Sequence, residues 1–104
     1  MPNYTYDHIH LRTRDPEATA KYYHEMFGAI IGSVQSDGLS RLDLDLNGLT
    51  IFVARVSPTD NVPVPPADPH MGLDHFGLRV DNLDEAAADL KSQGAEFSMT
   101  NIRF

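Results

Sequence analysis

Two histidines of this chain stand in matching surroundings. His8 lies in YDHIHLRT and His75 in LDHFGLRV, 67 residues further on (75 minus 8). At that offset Asp7 pairs with Asp74, His8 with His75, Leu11 with Leu78, Arg12 with Arg79 and Ala20 with Ala87, while apolar Ile9 matches Phe76. A neutral imidazole gives a ring nitrogen to borderline divalent metals such as Zn, Ni, Fe or Mn at about 2.0–2.2 Å, and such sites usually need a carboxylate besides. Two imidazoles and one acid would leave positions open for substrate oxygens, which the metal would polarise as a Lewis acid; redox-active iron would instead activate oxygen. His8 and His75 are therefore the candidate metal ligands. His10 has the strand parity of His8 and is a candidate acid, base or substrate contact, although its counterpart is Gly77. Arg12 and Arg79 suit a substrate carboxylate or phosphate, or would instead pair with Asp43 or Asp45 across a sheet. Asp7 and Asp74 stand where acceptors that orient a metal-bound imidazole would stand, but strand alternation points them to the other face. His70, in a proline-rich stretch, and His24, within a helical pattern, are expected at the surface.

These side chains need elements to place them. Residues 5–13 (TYDHIHLRT) are rich in β-branched and aromatic types and predict a strand. Its alternation sets Tyr6, His8, His10 and Arg12 on one face and Ile9 and Leu11 on the other. Asp15-Pro16-Glu17 predicts a helix start: a capping carboxylate, a proline suited to the first turn, and an acid at the positive end of the helix dipole. Tyr22, Tyr23, Met26 and Phe27 form an apolar stripe expected to pack on the sheet, and Gly28 ends the helix. Strands follow at about 29–36, 41–46 and 49–56. In the second of these Leu42, Leu44 and Leu46 share a face. Asn47-Gly48 between the last two is a strong hairpin signal, because that turn needs positive φ at both positions.

Residues 57–72 hold five of the seven prolines and predict a linker. A strand is then expected over 73–80, with His75, Gly77 and Arg79 on one face and Phe76, Leu78 and Val80 on the other. Asn82 and Glu85 form a capping box for a helix that stops at Gly94, and residues 95–100 begin a further strand. The domain reading is a first βαβββ module over 1–56, a linker over 57–72 and the start of a second module over 73–104. Repeats of this kind are supersecondary units that bury a face against a copy. By that comparison the second module lacks about 25–30 residues, so either the chain is truncated or a partner chain completes the sheet, since open edges are normally avoided. If the copies pack with approximate two-fold symmetry, His8 and His75 face one cavity.

Composition narrows the function classes. The chain has 104 residues, enough for one domain, with 15 acidic and 8 basic side chains and a net charge of −7. A nucleic-acid or anionic-membrane partner would call for a basic patch, and no Lys/Arg run exists. Cysteine is absent, which excludes disulfides and thiolate chemistry. The N-terminus has no signal-peptide pattern and no apolar run suits a bilayer, so a cytoplasmic location is expected.

The segment YDHIHLRTRDPEATAKYYHEMFGA resembles the opening of a module of the vicinal oxygen chelate (glyoxalase/bleomycin resistance/extradiol dioxygenase) superfamily, and GLDHFGLRVDNLDEAAADLKSQGAEF resembles the opening of its second module. The resemblance implies an α+β fold of paired βαβββ modules whose curved mixed sheet surrounds a cavity, the second module being incomplete here. It also implies that His8 and His75 are metal ligands. Glyoxalases and epimerases of that family often take a carboxylate ligand from the fourth strand. Here that strand, LTIFVAR, offers Phe52 near the place, which puts a four-ligand site in doubt and makes Phe52 a substrate contact. The third ligand would be an acid outside this sequence. The implied activity is that of a metal-dependent lyase, isomerase or ring-cleaving dioxygenase using Fe, Mn, Ni or Zn on a small molecule with neighbouring oxygens. The alternatives are a metal-free protein that sequesters a small molecule, as bleomycin-resistance proteins do, and an inactive dimerising scaffold. A homodimer is expected, its modules pairing within or between chains.

Overall fold

The computed structural model describes residues 1–36, 40–64 and 68–97, and the side chains of 33–36 and 40 are not part of that description. The chain divides into two compact units, Met1–Pro63 and Val64–Phe104. The division falls inside the proline-rich stretch.

The first unit contains β1 (His8–Thr13), α1 (Pro16–Phe27), β2 (Ile30–Ser36), β3 (Ser40–Leu46) and β4 (Leu49–Arg55). Its sheet has the order β1-β4-β3-β2. β1 runs parallel to β4, while β3 is antiparallel to both β4 and β2, so the sheet is mixed and open. The turn sets the register. Asn47 (φ 48°) and Gly48 (φ 96°) occupy the two left-handed positions, and the Asp45 carboxylate accepts from the Gly48 N–H at 2.9 Å. A two-residue turn makes Leu46 face Leu49, after which Leu44 faces Ile51 and Leu42 faces Val53. One face thereby collects every leucine of β3.

Helix α1 forms for the reasons its sequence gives. The Asp15 carboxylate accepts from the Ala18 N–H at 3.1 Å, and Pro16 begins the helix where its missing N–H costs nothing. At the other end Gly28 takes φ 73°; its N–H reaches the His24 carbonyl and the Ala29 N–H reaches that of Tyr23. That pair of bonds satisfies carbonyls the helix would otherwise leave open. Arg55 ties the end of β4 to the helix start, donating to both Glu17 carboxylate oxygens at 2.8 Å.

Burial of the apolar face holds these elements together. Ala20, Ala29, Leu42, Leu44, Leu46, Ile51 and Val53 form the core, with Ile9, Leu11, Tyr23 and Phe27 packed against it. A fully buried aliphatic side chain such as Leu44 or Ile51 contributes roughly 1.5–3 kcal/mol. Ala20 takes the inward position that the aromatic stripe suggested for Tyr22, which is 47% exposed. The Tyr22 ring meets Tyr23 and Phe27 edge-on at the helix surface.

The second unit contains α2 (Leu83–Ser92). The Asn82 side chain accepts from the Glu85 N–H at 3.0 Å, and Gly94 follows at φ 90° with the Ala95 N–H bonded to the Leu90 carbonyl. These are the expected caps. The strand expected over 73–80 is a correction: these residues join no ladder among the described residues. A strand exists by pairing, and the described residues of this unit offer no strand partner. Residues 95–97 are not a strand either, and 98–104, the rest of that expectation, lie outside the described residues. No described side chain of this unit is buried, and Leu73, Leu78 and Val80 are exposed.

The two units should therefore answer core truncation differently. Ile51→Ala is expected to cost about 2–5 kcal/mol of unfolding free energy. Leu78→Ala should change it by no more than about 0.5 kcal/mol. Urea denaturation followed by circular dichroism measures both.

Candidate functional site

Because Ile9 and Leu11 go under α1, His8, His10 and Arg12 must go to the opposite face of the sheet. The ladder then decides their neighbours. The parallel register sets His8 beside Thr50, His10 beside Phe52 and Arg12 beside Ala54. The hairpin register adds Asp45 beside Thr50, Asp43 beside Phe52 and Arg41 beside Ala54. Three strands thus place two imidazoles, two guanidinium groups and two carboxylates on the face away from the helix, the face that also carries Phe52.

Phe52 is the hub. The His8 ring lies 4.4 Å from it, tilted by 34°, and the His10 ring meets it edge-on at 6.0 Å. The Arg41 guanidinium sits 4.1 Å from the ring centroid, a cation–π distance. Asp43 holds that guanidinium through two bonds, Nε to Oδ1 at 2.9 Å and Nη2 to Oδ2 at 3.3 Å. The bidentate bond fixes the plane of the guanidinium as well as its charge.

Arg41 was not among the sequence candidates. The sequence offered Asp43 and Asp45 as partners for Arg12 or Arg79; the structure instead pairs Asp43 with Arg41, and Asp45 with the hairpin turn. The signal was present, since Arg41, Asp43 and Asp45 alternate with the leucines and the Asn-Gly turn fixes their cross-strand positions. The Arg12 side chain is exposed and makes no hydrogen bond or ion pair among the described residues.

The aspartates before the histidines are a second correction. The Nδ1 of His8 lies 2.7 Å from the Asp7 carboxylate, and the Nδ1 of His75 lies 2.6 Å from that of Asp74. Alternation failed to foresee this because Asp7 precedes β1 and Asp74 lies in no ladder, so neither backbone is held to a pleat. An ionised carboxylate only accepts, so this contact calls for a proton on Nδ1. A neutral ring with its proton there keeps its lone pair on Nε2. That donor set suits a divalent metal bound by imidazole nitrogen. Within each unit, no group of three His, Asp or Glu among the described residues could hold a metal ion by itself. Arg79 is exposed in the second unit.

The remaining histidines have quieter surroundings. His24 donates from Nδ1 to the Ala29 carbonyl at 2.8 Å, which anchors the end of α1. The exposed His70 points Nδ1 at the Asp68 carbonyl at 3.4 Å. The His10 pKa is held below the ordinary value of 6.5, first by partial desolvation and then by Arg12, Arg41 and His8.

A mixed sheet with a helix on one side and histidines on the other defines a small α+β domain with an open polar face. The chain belongs to the glyoxalase/bleomycin resistance protein/dioxygenase superfamily, whose family model matches residues 5–103. No curated protein matches the chain. Among solved structures it is similar to VPC_CASS1 from the mobile metagenome of V. Pseudocholerae, with a TM-score of 0.72 and 19% identity over 98% of this chain and 76% of that one. It is also similar to the fosfomycin resistance protein FosX from Listeria monocytogenes, with a TM-score of 0.69 and 19% identity over 96% and 73%. A glyoxalase family protein from Enterococcus faecalis gives a TM-score of 0.67 and 23% identity over 90% and 74%. FosX has been crystallised with Mn(II) and sulfate. At these identities the likeness shows the fold. No helix among the described residues is long and apolar enough to cross a membrane.

Unfolded His10 takes up a proton at higher pH than folded His10. This group therefore adds stability as pH rises from its lowered native pKa to 6.5 and withdraws it as pH falls. An NMR titration of the metal-free chain should place the His10 midpoint below 6.5, and Arg41→Gln or Arg12→Gln should each raise it. A wild-type midpoint at or above 6.5 contradicts the assignment.

Proposed function

We propose that this chain is a metal-dependent small-molecule enzyme of the glyoxalase/dioxygenase type, in which His8 and His75 each supply one imidazole to a divalent metal. The two rings act within one chain or across a pair of chains. The observation that carries the reading is the shared contact of the two histidines: in both, Nδ1 lies within hydrogen-bond distance of the preceding aspartate carboxylate, and Nε2 is turned away from it. Membership of the superfamily supports it, as does the Mn(II) bound by FosX, a protein of the same fold.

A metal held there would act as a Lewis acid toward neighbouring substrate oxygens. The chain's own residues would do the rest. Phe52 offers an apolar surface beside His8 and His10, on which a small ligand would exclude water. Arg12, exposed and on the same face, would hold an acidic group of the substrate, and Arg79 would do the same from the second unit. Arg41 is already engaged by Asp43 and Phe52, so its part is to hold the wall in place. His10 would exchange a proton with a ligand seated at Phe52. The third, acidic ligand is not assigned to any residue of this chain.

Metal analysis of protein purified without chelator and dialysed against Mn(II) tests this directly. Wild type should hold stoichiometric metal. His8→Ala and His75→Ala should each weaken binding by more than the roughly 10–100-fold that follows loss of an outer partner. No binding of Mn(II), Fe(II), Ni(II) or Zn(II) by the wild type would remove the metal reading, and ligand binding by the metal-free chain would then favour sequestration.

A further inference from the structure

The carboxylate partners are selective. Of the five histidines, His24 and His70 turn Nδ1 to backbone carbonyls and His10 contacts the edge of Phe52. Only His8 and His75 have a carboxylate on Nδ1 among the described residues. The two settings are otherwise unlike. His8 is on a strand, stacked on Phe52, with its side chain 43% exposed; His75 lies outside any ladder, 81% exposed. The same atoms nevertheless pair at nearly the same distance. The contact is therefore set by the Asp-His dipeptide itself, and the dipeptide recurs at equivalent places in the repeat. Stability does not account for it, since exposed ion pairs contribute little.

We propose that Asp7 and Asp74 are positioning residues that fix His8 and His75 as Nδ1–H tautomers, so that both rings present Nε2 as the donor atom. Unrestrained imidazole carries its proton on either nitrogen, and a ring protonated at Nε2 cannot give that atom to a metal. A carboxylate on Nδ1 removes the choice, orients the ring and makes Nε2 more basic. In each unit one residue thus prepares the next one along the chain. The inference rests on the metal-ligand reading of His8 and His75, but the tautomer is a property of the metal-free chain.

The test is a long-range ¹H–¹⁵N correlation of the full chain, ¹⁵N-labelled at histidine, metal-free and at pH 8.5, above the ordinary imidazole value of about 6.5. Wild type should show His8 and His75 with the proton on Nδ1. Asp7→Ala should move His8 alone toward the Nε2–H form, and Asp74→Ala should move His75 alone. Asp7→Asn keeps an accepting oxygen and should restore the Nδ1–H form of His8. Amide spectra report whether the variants still fold, which both sites favour because Asp7 and Asp74 lie outside every helix and strand. Zn(II) affinity of each alanine variant should fall by about 10–100-fold. Nε2–H tautomers in the wild type, or a tautomer unmoved in the alanine variants, overturn the positioning role. Tautomers that follow the aspartates in a wild-type chain that binds neither Zn(II) nor Mn(II) overturn the ligand reading instead.

Discussion

Alternation along a six-residue strand governs the first unit. In β1 every second side chain must leave water beneath α1, and Ile9 and Leu11 do so. The residues between them have no other course than the open face. Had the helix packed on the opposite side, the histidines would have been driven into an apolar layer, where unpaired polar groups are costly. The burial of Leu44, Ile51 and Val53, far from any chemistry, is thus what orients His8, His10 and Arg12. A shift of one residue in the β1–β4 register would exchange the two faces entirely. The packing of Ile9 and Leu11 against the core opposes it.

Much of this was legible in the residues. The capping of α1 by Asp15, its stop at Gly28, the hairpin at Asn47-Gly48 and the capping of α2 by Asn82 are local effects, each decided within a few residues, and the structure shows all of them. The faces of β1 and β3 follow from a period of two. What escaped notice depended on pairs of elements or on breaks in the pattern. Arg41 joins the site only through the combined β1–β4 and β3–β4 registers. Asp7 turns to His8 because the ladder begins one residue later, at His8, and strand alternation does not bind the residue before it. Tyr22 looks inward by helical periodicity, but the small Ala20 is what allows close approach of helix and sheet.

In the second unit, likeness between segments does not carry over to likeness of structure. LDHFGLRV resembles YDHIHLRT residue by residue, yet only the first is part of a ladder among the described residues. Sequence supplies the side-chain pattern of a strand; a neighbour must supply its hydrogen bonds. The caps of α2 are satisfied within the helix and its flanks, which is why that element matches expectation while 73–80 does not. The Asp74–His75 contact is likewise local and survives without a sheet. In both units, then, the imidazole is prepared by the chain immediately beside it, while only the first unit adds the Phe52 wall and the Arg41–Asp43 clamp.

The central claim is that the duplicated histidines serve one metal. Titration of Mn(II) into the chain labelled with ¹³C at histidine tests it most directly, because the paramagnetic ion broadens nearby ring signals. The account predicts that the His8 and His75 ring signals vanish together at substoichiometric Mn(II), while those of His24 and His70 persist. Loss of only one of the pair, or broadening that spares both, would contradict it.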